Sequence, residues 1–180
     1  VLFRSMQFRS YNNFLVPIPS LYPHIESLPV FTVHADPDGI FRRVQTVFEY
    51  EKQLFPSAGL AMVREYLHNK SVNLSKKGEL TIGPYTIPIN KNGEMLLNWY
   101  PKGFEAFSIS GIFASWQYLQ DGELDQMLVD PSVFQDAIVI IGASALGLHD
   151  LKATPISEQL PGSELIATMI SNIKQNEMIK

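Results

Sequence analysis

"IVIIGASALGLHDLKATPISEQLPG", residues 138–162, is the stretch on which the reading of the chain turns. With Ala137 in front, it opens on a continuous apolar run without polar alternation, the pattern of a strand covered on both faces. Gly142 lets the chain turn off the end of that strand. The connection from Ala143 to Leu160 is long for a packed domain, and long connections are often functional. Open α/β sheets place ligands at the carboxyl edge that such a connection crosses, so it is read as a lip around a sensory pocket. Pro161 and Gly162 then introduce an amphipathic helix. Leu165, Ile166, Met169, Ile170 and Ile173 share one face, expected to pack on the buried strand, and Glu164 sits where the helix dipole favours an acid.

Two catalytic readings of this loop are weak. A dinucleotide fingerprint would use glycines for a tight turn and close approach to pyrophosphate, but in Gly142-Ala-Ser144-Ala-Leu-Gly147 the second glycine is replaced by Ser144. Pro155 also forbids a long helix directly after the loop. A nucleophile elbow requires glycine two residues after the serine, and Leu146 stands there. His149 and Asp150 are neighbours in sequence, so one does not simply orient the other. Ser144, His149, Asp150 and Thr154 therefore remain candidates for sensing or for organising the loop. For Asp150 the favoured role is architectural, as a local hydrogen-bond acceptor. A nucleotide- or phosphate-binding α/β enzyme domain stays as the first alternative function, and a structural or dimerisation module as the second.

Working outward, "VFTVH" and "IFRRVQTVFEY" flank "ADPDG" and predict a hairpin, with Asp36, Asp38 and Gly39 making the reversal. Asp36 and Asp38 have the spacing of calcium-loop carboxylates, but the loop is short and lacks a terminal bidentate Glu. Arg42 and Arg43 fall on opposite faces of the returning strand, one solvated and the other paired. Leu60, Val63 and Leu67 then mark a helix, with Pro56 suited to its start. Gly83-Pro84 turns a second hairpin, and "EMLLNWY" is a further strand. Ser110 is placed as the N-cap of a helix carrying Ile112, Phe113, Trp116 and Leu119, and Trp99, Tyr100 and Trp116 are read as core or rim aromatics. Asp130-Pro131 starts a short helical turn. The fold class is α/β, a mixed β-sheet flanked by helices.

Composition narrows the function further. The 180 residues are 46% hydrophobic and 18% charged with a formal net charge of −4, which fits one globular domain and excludes a nucleic-acid surface built on clustered Lys and Arg. There is no cysteine, and the four histidines are scattered, so no metal site or cofactor is expected. No window is long and apolar enough for a membrane helix. Residues 6–29 read as an irregular, Pro-rich crossing with a short helical turn near Ser20–Glu26. Val1–Ser5 matches what the tail of a common sequencing adapter encodes and is set aside as a scar. That start leads to the expectation of an N-terminally truncated domain.

These pieces resemble a known family. "HADPDGIFRRV", "FPSAGLAMV", "IPINKNGEMLLNWY", "FSISGIFAS" and "FQDAIVIIGASALGLHDLKATPISEQLPGSELIATMISNI" look like the second class of CHASE domains, the extracellular sensory domains associated with cyclases and histidine kinases. The resemblance covers the C-terminal portion of such a domain, residues 28–180. Asp36, Asp38, Gly39, Arg42, Arg43, Pro56, Ser57 and Gly93 carry it upstream. Gly142, Ser144, Ala145, Gly147, Leu148, Asp150, Thr154, Pro155, Pro161, Gly162 and Ala167 carry it downstream, with Ser144 where threonine is common and Glu164 near where histidine often falls. It implies a non-catalytic, periplasmic input module of a bacterial transmembrane receptor, such as an adenylate or guanylate cyclase or a sensor kinase. It further implies membrane helices on either side, an unknown small-molecule or environmental signal, a homodimer through the intact receptor, and no nucleic acid.

Overall fold

In a computed structural model of the chain, the described residues are 6–13, 15–24, 28–68, 70–75, 79–143 and 150–179. The α/β class is borne out: three helices accompany small antiparallel ladders. Contacts cluster the domain into two units, residues 1–101 with 142–180, and residues 102–141.

The first unit begins with β1 (Arg43–Gln45), β2 (Val47–Tyr50) and β3 (Gln53–Pro56). The second and third strands form a hairpin, Val47 opposite Pro56, that the sequence reading did not find. Its corner is Glu51 and Lys52, both at positive φ, the mirror-image turn whose twist suits a two-residue hairpin. The corner lacks the Gly or Asn that usually signals such a turn. Ser57 follows as N-cap of α1 (Ala58–Tyr66), its hydroxyl accepting from Leu60 N. Next come β4 (Val72–Leu74), β5 (Glu79–Ile82), β6 (Tyr85–Pro88) and β7 (Glu94–Leu96). The Gly83-Pro84 corner joins β5 to β6 as expected, with Ile82 opposite Tyr85. β7 returns to pair with β1, Val44 opposite Met95.

β8 (Leu151–Thr154), β9 (Ser157–Pro161) and α3 (Gly162–Gln175) complete this unit. The face of α3 is buried at Leu165, Met169, Ile170 and Ile173, and partly exposed at Ile166. Its main neighbour is α1, where Leu60 and Val63 are equally buried. The far end of α3 is pinned by a fully buried amide. Asn172 Oδ1 accepts from Asn98 N at 2.8 Å, and its Nδ2 donates to Asn98 O at 2.9 Å and to the Tyr100 hydroxyl at 3.0 Å. The Tyr100 hydroxyl in turn donates to Glu177 Oε2 at 2.8 Å.

In the second unit, α2 (Ile109–Asp121) starts one step earlier than expected. Ser108, not Ser110, is the N-cap and accepts from Gly111 N, while Gly122 closes the helix in the left-handed region. Inside the unit lies the small-residue face of this helix. Ser115 donates to Gly111 O and accepts from both Leu128 N and Val129 N. Asp130 caps the helical turn Pro131–Phe134 as anticipated, and Phe134 stacks edge-on against Phe107.

Two expectations fail. Ala137–Ile141 is not a strand, and the buried face of α3 has α1 as its main neighbour. The run has the composition of a doubly covered strand, but no described residue pairs with it, and composition alone supplies no neighbour. Likewise "VFTVH" and "IFRRV" do not form a ladder with each other. The chain does reverse between them, with Asp36 N bonded to Ile40 O at 2.9 Å and Gly39 N to Asp36 O at 2.9 Å. The residues leaving the turn pair with β7, a strand some fifty residues away in sequence.

Candidate functional site

The turn at Asp36–Ile40 works because Gly39 stands at φ 84°, a conformation that strains any side chain. It also gathers charge. Arg42 grips Asp38 with both ends of its guanidinium, at 2.9 and 2.8 Å, and reaches Asp36 at 3.1 Å. Arg43 Nη1 meets the other Asp36 oxygen at 2.6 Å. The expectation of one solvated and one paired arginine is thus corrected. Arg42 precedes β1, where strand alternation does not apply, and both guanidinium groups converge on Asp36. The fork of Arg42, with a further hydrogen bond from Ile40 N, pulls the Asp38 carboxyl down to about 2, and the two aspartates raise Arg42 in return. The four charges sum to zero, which leaves the turn locally neutral.

This turn touches the segment on which the sequence reading centred. Phe41 N donates to Ala153 O in β8 at 2.8 Å. Lys152 lies with its ammonium 5.9 Å from the centre of the Phe41 ring and 3.2 Å from Asp150 Oδ1. Asp150 in turn closes on α3, its carbonyl accepting from Gly162 N at 2.8 Å. Its carboxylate lies 2.5 Å from where a side chain on Gly162 would begin. Gly142 approaches the same helical turn just as closely, 2.6 Å from Ser163 Cβ by the same measure. Gly142 and Asp150, which flank residues 143–149, are therefore both seated on the first turn of α3.

The expected long lip is shorter than read, because residues 151–161 form the β8–β9 hairpin. Thr154 is buried at its corner, where Oγ1 donates to Ser157 O at 3.0 Å and accepts from Ser157 N at 3.1 Å. It holds the Thr154-Pro155-Ile156-Ser157 turn, in which Pro155 presets the first corner. Pro161 ends β9 and is the N-cap residue of α3 rather than its first helical residue. Ser144, Gly147 and His149 lie outside the described residues.

Sequence reasoning missed Phe41 and Lys152, whose roles depend on partners more than a hundred residues apart or on a hairpin not foreseen. It also missed Tyr11 and His34. The Tyr11 hydroxyl is hydrogen-bonded to His34 Nε2, and the two rings stack. Burial, then the nearby Arg9 charge, lowers the His34 pKa.

Among described residues no helix is long and apolar enough to cross a membrane. The family model of the CHASE2 domain matches residues 2–180. Comparison with curated proteins and with solved structures finds no match. That match over nearly the whole length identifies the chain as a member of the CHASE2 family, non-catalytic extracellular sensory domains typical of cyclase and kinase receptors.

Proposed function

We propose that this chain is the extracytoplasmic input domain of a bacterial transmembrane receptor with a cyclase or kinase output. Membrane helices flank it in the parent protein. Its signal, a small molecule or an environmental condition, acts at the loop between Gly142 and Asp150, and the response leaves through α3. One observation carries this reading: the residues on both sides of that loop rest on the first turn of α3. A displacement of either one is felt by the helix directly. The neutral Asp36–Arg42 turn lies against β8 through the bond from Phe41 N to Ala153 O, so the hairpin is tied at a second point besides α3.

The test uses the intact receptor. Ser144→Ala and Asp150→Asn are expected to leave the melting temperature within about 2 °C of the parent, because among the described residues the ion pair of Asp150 is with a partly exposed lysine and such pairs contribute little. They are expected to change output activity across a panel of candidate conditions. Destabilised variants with an unaltered response would assign Asp150 to architecture and remove the loop from the signalling path.

A further inference from the structure

We infer that residues 7–11 form an acid-opened clasp on the core of the first unit, with His34 as the latch and the proton as the ligand. The inference concerns that unit alone and does not depend on the loop between Gly142 and Asp150. Few backbone bonds hold the segment. Gln7 N donates to Lys91 O at 2.7 Å, Tyr11 N to Glu49 O at 3.1 Å and Glu49 N to Arg9 O at 3.0 Å, a short parallel edge on β2. Phe8 lies 2.7 Å from where a side chain on Gly93 would begin. A strip tied so sparsely belongs to the low end of local stability, so its side-chain anchor weighs heavily. That anchor is Tyr11. Its ring lies 5.7 Å from the fully buried Phe48 ring and stacks at 6.1 Å on His34, and its hydroxyl is hydrogen-bonded to His34 Nε2.

Protonation acts against this anchor in two ways. A neutral imidazole has a nitrogen able to accept the Tyr11 proton, whereas both nitrogens of the imidazolium only donate, so the hydroxyl must turn to accept. The new charge also arrives in a half-buried place beside the Arg9 guanidinium. Glu94 is the acid placed to offset it, but its carboxylate is shared: Oε1 accepts from Arg9 at 3.3 Å and Oε2 from Asn90 at 2.9 Å. Asp36, two residues along the chain, is held by Arg42 and Arg43. Opening the clasp carries Arg9 away, which separates the two cations and frees one oxygen of Glu94. In the closed clasp burial first and Arg9 second lower the His34 pKa below its ordinary 6.5, with Glu94 opposing. The released ring therefore binds its proton more readily than the seated one. Opening is favoured as pH falls below about 6.5, by up to about tenfold per pH unit until the seated ring itself titrates.

An NMR titration of the full 180-residue chain from about pH 8 to about pH 5 tests this. The His34 ring is expected to titrate below 6.5. Over the same range the amide-exchange protection of Tyr11 and Glu49, corrected for intrinsic exchange, is expected to fall by up to about tenfold per pH unit, while that of Met169 in α3 holds. His34→Gln keeps a side chain that donates and accepts but does not titrate, and it is expected to keep Tyr11 and Glu49 protected across the range. Tyr11→Phe removes the hydroxyl alone and is expected to lower protection at Glu49 already at neutral pH and to bring the His34 titration closer to 6.5. A His34 that titrates at or above 6.5, protection at Tyr11 and Glu49 that ignores pH, the same acid loss in His34→Gln, or loss at Met169 in step with Tyr11 would each overturn the proposal.

Discussion

Replacing Asn172 by alanine removes one buried side chain and strands three partners. Asn98 loses the acceptor for its N–H and the donor to its carbonyl, bonds of 2.8 and 2.9 Å, in a part-buried site. The Tyr100 hydroxyl loses a donor at 3.0 Å but keeps its bond to Glu177, so its loss is small. An unsatisfied buried backbone group costs about 1–3 kcal/mol, and taking the lower part of that range for each Asn98 group gives about 3 kcal/mol in all. For a chain of this length each kcal/mol moves the midpoint by about 2–4 °C, so the expected loss is about 6–12 °C. Thermal unfolding followed by far-ultraviolet circular dichroism, with a urea titration to check that the slope is unchanged, measures it. Asn172→Asp keeps the acceptor for Asn98 N but sets an anion against Asn98 O. It is expected to be less stable than the alanine variant at neutral pH and to recover as acid protonates it. A shift under about 2 °C for Asn172→Ala would mean that water replaces the amide without loss, and that the pinning of α3 is not built on this residue.

The remaining expectations are briefer. Asp38 is held near 2 in the folded chain against 3.8 in its reference state, so its contribution is present above about pH 4 and lost as pH falls towards 2; Asp38→Asn is expected to flatten the acid limb of a melting-temperature profile over that window. Gly162→Ala is expected to destabilise by about 1–3 kcal/mol because its Cβ meets the Asp150 carboxylate, and the double variant with Asp150→Ala to regain most of that in the same melts. Ser115→Ala strands the Leu128 and Val129 amides and is expected to cost about 2–4 kcal/mol, read as early loss of amide-exchange protection at those two positions.

Features specified by neighbours in sequence were legible, and those specified by distant partners were not. The Gly83-Pro84 corner, the Asp130 cap and the buried face of α3 each follow from residues within a few positions of one another. The Asp36–Gly39 reversal was readable for the same reason, but the destination of its strands was not, because β7 competes for β1. The β8–β9 hairpin was hidden because the polar run Ser157-Glu158-Gln159 lacks alternation and Pro155 resembles a loop breaker. Of the site, Gly142, Asp150 and Gly162 were singled out in advance, but the seating of Gly142 and Asp150 on the first turn of α3 is a matter of packing. The error at Ala137–Ile141 has the same origin: β-branched composition describes what a segment can do, not what lies beside it.

That segment has a consequence for the chain's life outside its native fold. Ala137-Ile-Val-Ile-Ile141 is short, strongly β-prone, uncharged and free of proline, the profile of a segment that stacks in register into cross-β fibrils. Asp136 immediately before it is the nearest charge, and it sits in the left-handed region at φ 54°, a kink that interrupts an extending strand. It is therefore a gatekeeper, opposing addition of further chains by repulsion and by shape. Asp136→Val would remove both defences at once, converting a tolerated run into a seed for fibril growth.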